Sequence, residues 1–282
     1  MIASVVLPVL DAGATIVDQL DGLAAQTFTG EWELLVVDNG SSDDTIEKVR
    51  NHPLAPQVVD ATEQRSSAWA RNAGARRASG RFLLFCDADD IVAPDWVSAM
   101  VAALEISELV TGPLEFRRLN ASLPATLMDG FGTGAPPLAY GFLPYGLTCN
   151  LGIRKDLFEA LGGFNPEFTR AYDLELCWRA QLGGHDLNFE PDAVVHRRMA
   201  PGLKGYWGRQ IRDARMAPLL FRSFEAAGMR RSSTVRAVAE WIVLALRSVE
   251  LALPKRRWRW IAQVSHRLGR LRGSIRYRVL YL

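Results

Sequence analysis

Asp87, Asp89 and Asp90 put three carboxylates within four residues, directly behind the apolar run Phe82-Leu83-Leu84-Phe85-Cys86. An unpaired carboxylate loses too much hydration to remain inside a buried strand, so the change from apolar to acidic marks a strand's C-terminal edge. Open α/β sheets place their ligands at that edge. Asp87 and Asp89 are two apart and point to the same side of an extended backbone, which suits a hard divalent cation bridging a diphosphate. An acidic turn capping the next helix would use the same residues.

Other candidates stand at comparable positions. Asp38 ends a second apolar run and suits either a hydrogen bond to a base or ribose or a helix cap. Arg71, in Arg71-Asn72-Ala73-Gly74, offers a guanidinium for phosphate oxygens, with Gly74 where backbones can approach. Asp173 falls in the first turn of a helix, where a carboxylate is favoured by the exposed amides. His196 follows an apolar pair at a strand end and is either a metal ligand or an ordinary hydrogen-bonded residue.

The elements that must position these groups alternate. Strands are expected at 3–8, 32–37, 58–59, 81–86, 109–116, 147–154 and 187–189, with an irregularity at Gly112-Pro113. Helices are expected at 15–26, 45–50, 66–79, 94–108 and 155–161, and one beginning at Thr169 or Asp173. This order implies a mostly parallel sheet flanked by helices, with Pro8, Asp38 and Asp87 along one rim. The stretch 120–146 is rich in Gly, Pro and Ala and reads as a lid or binding segment, or as partly disordered. Neither a Gly-x-Gly-x-x-Gly after the first strand nor a Walker-type Gly-Lys-Ser/Thr is present, which argues against dinucleotide and P-loop enzymes.

The 282 residues carry a formal charge of only +2, unevenly spread. From residue 231 onward there are twelve Lys and Arg against two Asp and Glu, so the preceding body is acidic. Cys86, Cys149 and Cys177 suit a reducing compartment and form neither a zinc pattern nor a disulfide framework. No signal peptide is expected, nor any apolar run of the roughly 18 residues a spanning helix needs. Residues 202–224 and 234–253 are helical candidates, the second stopped by Pro254. Lys255-Arg256-Arg257-Trp258-Arg259-Trp260 then mixes cations with interfacial aromatics. Such a tail suits an anionic membrane surface, packing on the acidic body, or nucleic acid; no recognition module supports the last, and nucleic acid is not expected.

Taken together, residues 3–198 resemble glycosyltransferase family 2, the inverting nucleotide-sugar transferases with the GT-A (Rossmann-like) fold. The resemblance rests on Val5-Val6-Leu7-Pro8, on Val36 through Thr45, on Arg71-Asn72-Ala73-Gly74 and on Asp87-Ala88-Asp89-Asp90. It continues through Gly162-Gly163-Phe164 and Tyr172 through Arg179 to Pro191 and His196-Arg197. It implies a catalytic domain over 1–200, with a nucleotide half to about 118 and an acceptor half over 119–200, followed by a helical basic extension over 201–282. It implies donor contacts from Pro8, Asp11, Asp38, Arg71, Asp87, Ala88 and Asp89. Asp89 and His196 would hold Mn2+ or Mg2+, Asp173 would be the catalytic base, and Asn150, Tyr172, Glu175 and Arg179 would line the acceptor side. Tyr172 stands where the family often has Glu, Glu175 where the pattern has a second Asp, and Asp11 where Asn is common. The implied reaction moves a sugar, UDP-linked by preference, to a hydroxyl of a glycan or lipid-linked acceptor, in the cytoplasm or at the membrane's cytoplasmic face. A nucleotidyltransferase releasing pyrophosphate and a catalytically silent scaffold of the same fold are the alternatives.

Overall fold

The chain opens with a buried strand, Ala3–Val9 (β1), then helix Ile16–Ala24 (α1), strand Trp32–Asp38 (β2) and helix Thr45–Asn51 (α2). Strand Gln57–Asp60 (β3), helix Ser67–Arg77 (α3) and the fully buried strand Phe82–Cys86 (β4) follow. Next come strand Ile91–Val92 (β5), helix Trp96–Ile106 (α4), and strands Leu109–Thr111 (β6), Leu114–Glu115 (β7), Leu138–Ala139 (β8) and Leu143–Pro144 (β9). Strand Asn150–Arg154 (β10), helices Lys155–Ala160 (α5) and Tyr172–Leu182 (α6), and strands Leu187–Phe189 (β11) and Val195–His196 (β12) continue the chain. Helices Gly202–Ala214 (α7), Ala217–Phe224 (α8), Thr234–Leu246 (α9) and Pro254–Tyr277 (α10) come last.

This computed structural model describes residues 1–121, 134–199 and 202–282, so part of the expected lid segment lies outside the described residues. Two compact units emerge, one built mainly on Met1–Ala121 and Pro144–Arg198, the other on Met199–Leu282 with Tyr140–Leu143.

The first unit holds a seven-stranded sheet in the order β11-β6-β10-β4-β1-β2-β3. All neighbours are parallel except around β10, which runs antiparallel to both β4 and β6. The mostly parallel α/β sheet expected from the alternating pattern is therefore present. Register sets Val9 beside Asp38 and Val6 beside Phe85, so the loops at Leu10, Asn39 and Asp87 leave the same edge. Helix α3 lies close on that sheet because Gly74 has no side chain: a Cβ there would sit 2.5 Å from Val6 Cγ1 and 2.8 Å from Val37 Cγ2. Burial of apolar side chains from both sides is what stabilises a parallel sheet.

Three expectations are corrected. The run at 109–116 is not one strand: β6 joins the large sheet and β7 joins a second sheet, β5-β12-β7. Pro113, lacking an N–H, cannot continue the ladder, and the chain changes sheet there. Residues 202–224 form two helices, with Pro218 in the first turn of α8, where a missing N–H costs nothing. The 234–253 helix ends at Leu246 and passes into a 3-10 turn over Ser248–Ala252, where Arg247 Nη2 meets Glu250 Oε1 at 2.7 Å. An i,i+3 pair matches the tighter winding. Pro254 starts the 24-residue α10.

Within the second unit α10 runs along α7. A Cβ at Gly269 would lie 2.6 Å from the Ile211 carbonyl oxygen, and one at Gly273 would overlap that of Arg215. Ser265, one turn earlier, is fully buried. This small-residue seam lets the two backbones touch.

Candidate active site

Hydrogen bonds stitch together the loops after β1 and β2. Asp11 takes a left-handed backbone with φ 49°, and its carboxylate accepts from Ser42 N at 2.7 Å and Ser42 Oγ at 3.0 Å. Those bonds hold its pKa below the usual carboxylate range. Ala12 N donates to Thr45 Oγ1 at 2.8 Å, and Gly13 N to Asp43 Oδ2 at 2.9 Å. Asp38 Oδ1 accepts from Gly40 N at 3.2 Å and Ser41 N at 2.9 Å, closing the turn out of β2. Pro8 is half-buried in β1, in register with Val37.

The acidic run after β4 divides by burial. Ala88 and Asp90 are buried, Asp87 is half-buried and Asp89 is exposed. Asp87 Oδ1 pairs with Arg71 Nη2, and its Oδ2 lies 3.7 Å from Arg197 Nη1. Asp90 Oδ2 is 3.3 Å from Arg197 Nη1, and its Oδ1 accepts from Arg198 N at 2.7 Å. Burial pushes the Asp90 carboxyl up, against the pull of Arg197. Two buried guanidiniums thus offset two neighbouring carboxylates, an arrangement that costs less than either charge alone. Cys149 Sγ completes this knot, with one ligand atom from each of Asp87, Asp90 and Cys149 within 4.8 Å of the others.

Arg71 carries the network across to α6. Its Nη1 donates to Tyr172 Oη at 2.8 Å, and its guanidinium sits 5.4 Å from the Tyr172 ring centre. Burial raises the Tyr172 hydroxyl pKa, which keeps it a neutral partner. The next residue is Asp173, 8% exposed, whose Oδ1 accepts from Leu174 N at 3.0 Å and Oδ2 from Thr148 N at 3.4 Å. The negative charge of Asp173 also acts on Arg71. Ala171, just before the helix, is held at φ 56°. A non-glycine residue there costs roughly 1–3 kcal/mol, so the surrounding contacts fix how α6 begins.

The other acceptor-side candidates act as braces. Glu175 is 5% exposed and holds Arg179 through bonds of 2.9 and 2.8 Å. Arg179 in turn donates to the carbonyls of Leu161 and Gly163. The same turn is gripped from α3, where Asn72 Nδ2 donates to Phe164 O at 2.8 Å and Asn72 Oδ1 accepts from Phe164 N at 2.9 Å. The structure therefore joins two sequence motifs that lie about ninety residues apart. Asn150 is buried, accepting from Trp96 Nε1 at 2.8 Å and donating to Pro113 O at 3.0 Å and Ala193 O at 2.8 Å. All of its amide is used in holding the core.

The Asp87–Asp90–Cys149 trio suits a hard cation poorly, since it contains a soft thiol and its carboxylates already face arginines. Asp89 and His196 fit better. Asp89 is an exposed carboxylate, and β12 sets His196 in register with Ile91, two residues further on. His196 Nδ1 lies 2.9 Å from Glu115 Oε2. A metal-ligating histidine typically has its other ring nitrogen tied in this way, which fixes the tautomer and leaves Nε2 as the ligand atom.

Four residues that complete the site were not picked out as such by sequence reasoning. Asp90 and Arg197 lie inside the acidic run and the His196-Arg197 pair but had no role assigned; Glu115 arrives through the pairing of β7 with β12, and Cys149 through its closeness to Asp87 and Asp90, neither of which local sequence carries. Among known proteins, the family described as Glycosyl transferase family 2 matches residues 4–162. Glycosyltransferase AglE of Haloferax volcanii is 30% identical over 197 residues, covering 68% of this chain and 65% of the relative. An Escherichia coli relative, UDP-Glc:alpha-D-GlcNAc-diphosphoundecaprenol beta-1,3-glucosyltransferase WfgD, is 33% identical over 41% of this chain and 44% of its own length. The chain thus spans less than two thirds of the length of these relatives. Two solved structures share the fold. Mannosyltransferase PcManGT from Pyrobaculum calidifontis, in complex with GDP-Man and Mn2+, has a TM-score of 0.69 at 21% identity, covering 96% of this chain and 86% of that one. S. aureus TarS 1-349 in complex with UDP has a TM-score of 0.56 at 19% identity, covering 100% and 93%.

Proposed function

The chain belongs to glycosyl transferase family 2, and we propose that it moves a sugar from a nucleotide-diphosphate sugar to a hydroxyl of a glycan or lipid-linked acceptor, with inversion at the anomeric carbon. One observation carries this reading: the buried connection Asp87–Arg71–Tyr172 ties the acidic rim at the sheet edge to the helix turn bearing Asp173. The loops at Asp11, Asp38 and Asp87 form the donor side, at the edge where such sheets bind nucleotides. Asp173 accepts the proton of the acceptor hydroxyl as its oxygen attacks the anomeric carbon. The bond to the diphosphate breaks on the opposite face, and the nucleoside diphosphate leaves. Asp89 and His196 would hold Mn2+ or Mg2+, which when bound offsets charge growing on the leaving group. Arg71 and Arg197 hold Asp87 in place, and Glu175 and Arg179 fix the turn before α6.

UDP is the preferred nucleotide on the strength of the relative named for UDP-glucose, whose title also names a diphosphoundecaprenol-linked acceptor. Such an acceptor would put the reaction at the cytoplasmic face of a membrane. A thermal-shift panel of UDP-, GDP- and dTDP-sugars with and without Mn2+ tests the donor side. Stabilisation that needs both nucleotide-sugar and metal is expected; no shift with any of them, or pyrophosphate release from a nucleoside triphosphate, would overturn the reading. Anomeric proton couplings of the product should show a β linkage from an α-linked donor.

A further inference from the structure

Helix α9 turns its more apolar face outward. Val235, Val238, Ile242 and Leu246 recur at three- and four-residue spacing and are 81%, 54%, 57% and 77% exposed, and Val249, in the turn that follows, is 67% exposed. The opposite face is the one held by the unit: Ala237 and Leu244 are buried, Glu240 Oε2 meets Arg267 at 2.9 Å, and Trp260 Nε1 donates to the Leu244 carbonyl at 3.0 Å. Leu251 and Leu253, also exposed, carry the apolar edge to the start of α10, whose first turns expose Arg256 and Arg259. An isolated exposed valine means little, but a continuous aliphatic stripe ending in exposed arginines is a docking surface.

We propose that this stripe lies on an anionic lipid bilayer, with α9 in the plane of the interface and Arg256 and Arg259 at the headgroups. Charge decides the occupant. The segment from residue 231 holds twelve basic residues against two acidic ones, which complements anionic headgroups. The same segment of a second copy would bring a like excess of positive charge rather than a complementary one. Among the described residues no helix is long and apolar enough to cross a membrane, so contact is along the surface. The inference deepens the lipid-linked reading of the acceptor, but it rests on the geometry of α9 and does not require that reading.

The test is co-sedimentation of the full chain with phosphatidylglycerol-containing and pure phosphatidylcholine vesicles, with nucleotide-sugar thermal shift run on the same preparations. The parent chain is expected to bind the anionic vesicles at least tenfold more tightly. Val238→Glu with Ile242→Glu should lose at least tenfold, at unchanged melting temperature and donor response. Arg256→Ala and Arg259→Ala should each lose about fivefold, as expected for roughly one headgroup-facing charge. Equal binding to both vesicle types, binding unchanged in the double Glu variant, or a discrete dimer that the double Glu variant converts to monomer would overturn the proposal. A lost donor response with vesicle binding intact would instead count against the transferase reading alone.

Discussion

At the residue scale the site depends on how carboxylates are held. Asp38 was legible as an acid at a strand end and Asp11 entered only through the family resemblance, but the structure shows that each closes a loop through backbone amides. Glu115 gives the sharpest single-residue prediction because it reaches the candidate metal site through His196 Nδ1. Glu115→Gln keeps the shape and removes the charge. Affinity for Mn2+ in the presence of nucleotide-sugar should fall about 10–100-fold, the usual effect of losing such an outer partner. Metal titration followed by calorimetry reads it, and an unchanged midpoint would remove His196 from the ligand set. The sequence offered no hint of this pair, since β7 and β12 are eighty residues apart and meet only through strand pairing.

At the element scale, strand and helix order was readable from apolar runs and turn residues, because each such signal is local. What escaped was pairing. The irregularity at Gly112-Pro113 marked a break in Leu109 to Phe116 without saying that its two sides serve different sheets, and nothing in Arg71-Asn72 says that it grips the Gly162-Gly163 turn. Close approaches turn these pairings into predictions. Gly74→Val would drive methyls into Val6 and Val37, and Gly273→Ala would put a Cβ onto the Arg215 carbonyl. Overpacking of this kind costs about 1–3 kcal/mol, outweighing the gain of up to about 1 kcal/mol that replacing a helical glycine usually brings. Denaturant melts should show both variants destabilised. An Ala at 273 that stabilises the protein would mean that α7 and α10 are not in contact at that point.

At the scale of the whole molecule, the acidic body and basic tail visible in composition correspond to chain regions with different chemistry. The C-terminal unit should respond to acid on its own. His266 stacks on Tyr140 at 6.5 Å, and burial, helped by Arg270 and Arg267, lowers its pKa to about 4. The unfolded chain binds this proton near pH 6.5 while the folded unit resists it until about pH 4. Stability should therefore be full above pH 6.5 and fall as pH drops through that window, by up to about 1.4 kcal/mol per pH unit. His266→Phe should flatten the dependence, and an identical pH profile would refute the assignment.

In the proposed reaction Asp173 serves the incoming hydroxyl while the donor is held elsewhere, and Asp173→Asn separates the two roles. Once the panel has identified a donor, its binding to this variant should match the parent within about twofold by calorimetry, while single-turnover transfer falls about 10²–10³-fold, within the range that positioned proton transfer supplies. Transfer within threefold of the parent, or loss of donor binding in step with transfer, would contradict it.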